Sequence, residues 1–132
     1  MKYLRNFNER KMWFELANDV KELIYTMEDI FVDLKDMGCR IEIYPNPEND
    51  KEDFENLVNY INDKLDFSDP PFVIYIKDGD FFQYKKKANE CLNILKRTLE
   101  PWGLYVTSAK RELINPYILN SENATIIKIS KT

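Results

Sequence analysis

The sequence contains no histidine. That removes the commonest general base, proton shuttle and zinc ligand at neutral pH. It holds two cysteines, Cys39 and Cys91, far apart and without a CxxC neighbour. A structural zinc site, a thioredoxin-type couple and a disulfide framework are therefore not expected, and a reducing compartment suits both thiols. A cysteine nucleophile would also lack its usual imidazole partner. Three glycines leave no room for a GxGxxG turn or a phosphate-cradling loop. The longest apolar run, Pro70 to Ile76, falls far short of a membrane span. The first ten residues, MKYLRNFNER, carry positive charge but no apolar stretch, so a secretory signal is not expected there.

What is present describes a packed globule. Hydrophobic residues make up 44% of the 132 and aromatics 14%, enough for one core and one domain. Charge is unevenly spread. Met1 to Asp80 carries 10 basic and 19 acidic residues, whereas Phe81 to Thr132 carries 9 basic and 4 acidic. Two faces of opposite potential would result, or two halves that attract each other within the fold.

Periodicity gives the order of elements. Arg10 to Met37 reads as a long helix with Trp13, Leu16, Ala17, Val20, Leu23, Ile24, Met27, Ile30, Phe31, Leu34 and Met37 on one face, stopped by Gly38. Unbroken, its 28 residues would span about 42 Å and overhang a body about 32 Å across. Asp19 and Glu22 resemble a capping box, so a break near Asn18 is expected, with cover by a second copy as the alternative. Cys39 to Tyr44 alternates as a strand, and Asn49 and Asp50 can cap a second helix carrying Phe54, Leu57, Val58, Ile61 and Leu65. Phe72 to Ile76 is β-branched and aromatic, as in a strand covered on both faces. Asp78-Gly79 suits a hairpin turn leading to a partner strand over Asp80 to Tyr84. A third helix follows from about Lys86 to Glu100, then strands over Leu104–Lys110 and Ala124–Ser130.

The expected fold is α+β. Residues 39–110 spell βαββαβ, a ferredoxin-like core with helices on one face of an antiparallel sheet. Residues 1–38 add the long helix, and 111–132 add a connection and a last strand that extends or caps the sheet. One feature pulls against this. The second strand of such a unit lies at an edge, yet Phe72 to Ile76 is the most apolar strand in the chain.

The helix face opposite the apolar stripe is unusual. Glu15, Asp19, Glu22, Asp29, Asp33 and Asp36 fall within an arc of about 100°, with Thr26 filling the gap. Like charges one turn apart cost a few tenths of a kcal/mol per pair, and acids near a helix C-terminus oppose its dipole. A solvated face accounts for the ridge blandly; a docking ridge for a basic partner accounts for its one-signed character.

Other chemistries meet simpler explanations. Asp78 and Asp80 could hold Mg²⁺, but a hairpin turn needs the same residues. Glu48, Asp50, Glu52 and Asp53 cluster at a helix start, where acids complement the dipole. Phe82 and Tyr84 on one strand face, with Lys85, Lys86, Lys87, Lys96 and Arg97, would suit stacking of single-stranded nucleic acid; core aromatics beside a solvated helix start would look the same.

The opening KYLRNFNE resembles the start of short uncharacterised accessory proteins of large tailed bacteriophages, and Glu28 to Tyr44, EDIFVDLKDMGCRIEIY, fits their helix-to-strand segment. Cys39 occupies a position expected to be aromatic or apolar. The resemblance covers the first third and implies a phage origin and an accessory role, without site residues. The resulting expectation is a non-enzymatic, cytoplasmic protein of an infected cell, free of cofactors, metals and membrane contact. It would bind a host or phage protein through the acidic ridge, as a monomer or as a homodimer through the first helix. Single-strand nucleic-acid binding is the alternative.

Overall fold

The computed structural model describes residues 12–62, 72–77, 85–113 and 123–131. Helix α1 spans Trp13–Ile30 and a short helix α2 spans Val32–Asp36. Strand β1 (Arg40–Tyr44), helix α3 (Lys51–Ile61), strand β2 (Val73–Lys77) and helix α4 (Lys85–Leu99) follow. A 3₁₀ turn at Glu100–Trp102 leads into β3 (Tyr105–Leu113) and β4 (Asn123–Ser130). The α+β class is as expected. The hairpin strand expected over Asp80 to Tyr84, and the Asp78/Asp80 pair, lie outside the described residues.

The described strands form one antiparallel sheet in the order β1-β2-β4-β3. This differs from the ferredoxin-like order. A split βαβ unit keeps another strand between its first two, which run parallel. Here β1 and β2 are direct antiparallel neighbours, in register from Arg40 opposite Lys77 to Tyr44 opposite Val73. The last strand does not extend or cap the sheet either. β4 inserts between β2 and β3, and β2 thereby becomes an interior strand. That placement explains the apolar Val73–Ile76 run, which an edge would have exposed. The strand covered on both faces is β4 rather than β2: Ala124, Thr125, Ile126 and Ile127 are consecutively buried. In β2, Ile74 and Ile76 are fully buried while Val73, Tyr75 and Lys77 are half-buried.

The core lies on one side of this sheet. Ile74, Ile76, Ile127 and Ile129 share a face and pack with Leu16, Val20, Ile24 and Met27 of α1, Leu57 and Val58 of α3, and Ala88, Leu95 and Leu99 of α4. Burying one such aliphatic side chain stabilises the fold by about 1.5–3 kcal/mol.

The long helix does not break near Asn18. It runs straight through, because Leu16, Ala17 and Val20 on either side are all anchored in the core, and tertiary packing outweighs a local capping signal. The break comes at Phe31, with φ −97° and ψ 10°. The 18-residue α1 spans about 27 Å, shorter than the 42 Å of an unbroken 28-residue helix. Gly38 ends the segment at φ +100°, a left-handed conformation open to glycine. Gly103, at φ 69°, does the same after α4.

Candidate functional site

The acidic ridge is positioned by burial of the opposite side of α1 and α2. Glu15, Glu22, Asp29, Asp33 and Asp36 are exposed, and Asp19 is half-buried. Thr26 in the gap donates its hydroxyl to the Glu22 carbonyl at 3.0 Å, so it serves the helix rather than the ridge. The last turn of α1 holds no basic residue to offset Asp29.

The second half of the chain reaches the ridge at Asp33. Lys87 Nζ bridges Asp33 at 3.2 Å and Glu90 at 3.0 Å. The hydrogen bond to Glu90, then that to Asp33, holds the Lys87 ammonium above its ordinary pKa. Lysines in the first turn of α4 oppose its dipole, and the bridge gives Lys87 a carboxylate partner there, whereas Asp33, in the first turn of α2, is already favoured by that helix's dipole. The attraction between oppositely charged halves is real, but local. Glu15, Glu22, Asp29 and Asp36 form no ion pair among the described residues.

The basic set divides. Phe82 and Tyr84, the stacking pair, lie outside the described residues. Lys85 and Lys86 are exposed in the first turn of α4. Lys96 and Arg97 occupy its last turn, where the dipole favours cations and explains them without a ligand. The structure thus brings Lys87 to the acidic ridge and leaves Lys96 and Arg97 at the far end of α4.

Two features escaped the sequence reading. One is the join between α1 and α4. Leu34 donates its N–H to Phe31 rather than to Ile30, and the Ile30 carbonyl instead accepts the Cys91 thiol at 3.4 Å. Burial pushes the Cys91 pKa up; nearby Lys87 pulls it down less strongly. A raised thiol pKa means the folded state holds its proton longer than the unfolded chain does. The linked stability is present below the ordinary thiol range and declines as pH rises through it. Cys91→Ala should therefore lose stability at pH 7, but its deficit should narrow between pH 8 and pH 10, as read by urea unfolding. A constant deficit would contradict the assignment.

The other is a loop. Asp50 was expected to cap α3, and it occupies the N-cap position without making a side-chain cap. Its Oδ2 accepts the Asn46 N–H at 2.9 Å, while Asn46 Oδ1 accepts the N–H groups of Glu48 (2.9 Å) and Asn49 (3.0 Å). The side chains staple residues 46–50 into a tight turn beside β1. Glu48 also accepts the Tyr25 hydroxyl at 3.3 Å, tying this loop to α1.

Among the described residues, no three His, Cys, Asp or Glu side chains converge as a metal site, and no helix is long and apolar enough to cross a membrane. No protein-family model, curated protein or solved structure matches the chain.

Proposed function

We propose that this is a non-enzymatic accessory protein that binds a basic protein partner through the α1–α2 ridge. The observation that carries this is the state of the carboxylates. Glu15, Glu22 and Asp29 on α1 and Asp36 on α2 stand exposed, with no ion pair among the described residues. Repulsion among Glu15, Asp19 and Glu22, one turn apart on α1, and an unfavourable dipole at Asp29 both act against folding stability. A surface kept for stability alone would interleave lysines, and desolvating such a ridge is favourable only against complementary charge. The phage-type accessory role implied by the opening residues, in the cytoplasm of an infected cell, suits a small protein acting by contact.

Single-strand nucleic-acid binding is the second reading, supported by the exposed Lys85 and Lys86, which no acid within the described residues neutralises.

The experiment compares the wild type with a variant carrying Glu15→Lys, Glu22→Lys, Asp29→Lys and Asp36→Lys. The thermal midpoint should stay level or rise slightly, since repulsion is relieved. Capture from the native host should yield a protein that the variant loses at least tenfold, with nuclease treatment making no difference. The same captured proteins on both would refute the ridge. Recovery abolished by nuclease would favour the second reading.

A further inference from the structure

We propose that the outer face of α1 receives a basic amphipathic helix, which sets apolar residues against Phe14 and Tyr25 and cations against the acids beside them. This rests on the ridge reading above and adds the shape of the partner. Phe14 is 54% exposed and Tyr25 41% exposed, although both carry large aromatic rings. They stand eleven residues apart, about three turns, so they share one line along the helix, roughly 16 Å apart. Asn18, also exposed, falls between them on that line. Neither ring joins the core, whose residues Leu16, Val20, Leu23, Ile24 and Met27 occupy the other side of α1. The Tyr25 hydroxyl donates to Glu48 at 3.3 Å, so that ring is tethered where it stands. The outer face therefore has two columns. Phe14 and Tyr25 form one, and Glu15, Glu22 and Asp29 form the other directly beside it.

The spacing of the acids selects a helix. Glu15, Glu22 and Asp29 recur every seven residues, about 10.5 Å along the axis. A partner helix lying along α1 repeats its side chains at the same interval, because its own seventh residue returns to nearly the same face. An extended chain rises about 3.3 Å per residue and covers that distance in about three residues, and residues three apart on a strand point to opposite sides. A helix thus offers three cations to three acids from one face, and a strand does not. Helix-in-groove partners are read by anchors at this kind of spacing.

Charge argues against α1 of a second copy as the occupant. α1 holds Glu15, Asp19, Glu22, Glu28 and Asp29 against a single lysine, Lys21, so two such helices repel. Lys21 is half-buried at the far margin of the aromatic column, away from the three acids of the other column. Acidic residues of the partner belong on that side, and its cations on the other.

The full chain is titrated with a fluorescent 21-residue peptide of three identical heptads. Leucine fills the first and fourth positions, lysine the fifth and seventh, and alanine the rest. A control of the same composition is reordered so that leucine and lysine alternate as on a strand. The heptad peptide should bind at least tenfold more tightly than the control, and its helical circular dichroism should rise on binding. Phe14→Ser and Tyr25→Ser should each weaken it about tenfold with little change in the melting curve, whereas Tyr25→Phe should leave it unaltered. Glu15→Lys with Glu22→Lys should weaken both peptides. No binding by the heptad peptide, equal affinity for the two peptides, or no effect of either serine variant would overturn the helical partner. The ridge reading would survive that outcome if the Glu15/Glu22 variant still lost the host protein captured by the wild type, and both would fall if it did not. A wild type that sediments as a dimer, with Phe14→Ser monomeric, would give the face to a second copy and overturn the proposal.

Discussion

Phe31→Ala should destabilise the fold by about 3–5 kcal/mol and lower the melting temperature by roughly 10–20 °C. Phe31 is completely buried and is among the largest side chains in the core. It also sits at the break between α1 and α2, where its carbonyl accepts the N–H groups of Leu34 (3.1 Å) and Lys35 (3.2 Å). Truncation removes the transfer energy of the ring and leaves a cavity between two helix ends. Those ends cannot close upon it without moving Leu34, which is itself fully buried. Set against the usual 5–15 kcal/mol of total stability, that is a large fraction. Val32→Ala is the control, since Val32 is 48% exposed at the next position and should change stability by well under 1 kcal/mol. Equilibrium urea unfolding with an unchanged m-value checks both. A loss below about 1 kcal/mol at Phe31 would mean that the core does not depend on its ring.

The same residue shows where sequence reasoning stops. The apolar period of α1 was legible because it is set by 3.6 residues per turn, and Leu16, Val20, Leu23, Ile24 and Met27 are buried as that period requires. Gly38 and Gly103 were legible because their left-handed conformations suit glycine. The break was not. Asn18 and Asp19 carry the local signal for a helix start, whereas Ile30, Phe31 and Val32 include neither glycine nor proline. Packing of Phe31 and Leu34 decides it, and packing is non-local. The sheet order illustrates the same limit. The apolar character of Phe72 to Ile76 signalled that this strand needed neighbours, but not that β4 supplies one of them. For the candidate site, exposure of most of the ridge followed directly from helical angle. The Lys87–Asp33 bridge links residues 54 apart in sequence, so no local pattern predicts it.

Assembly of the sheet also leaves one polar atom stranded, and removing it should help. Thr125→Val should stabilise the fold by about 1–2 kcal/mol. Thr125 is fully buried in β4, opposite Ile76 on one side and Arg111 on the other. Its Oγ1 has no hydrogen-bond partner among the described residues. Burying a hydroxyl without a partner costs about 1–3 kcal/mol, and valine keeps the branched shape that packs well on a pleated strand. Neighbouring Ile127 and Ile129 show that this face accepts aliphatic side chains. Thr125→Ser is the complementary variant, because it keeps the hydroxyl and deletes the methyl group, and it should cost about 1 kcal/mol. The two substitutions therefore move the urea midpoint in opposite directions if the hydroxyl is a liability. If valine instead lowers the midpoint by as much as serine does, the Thr125 hydroxyl makes a stabilising bond.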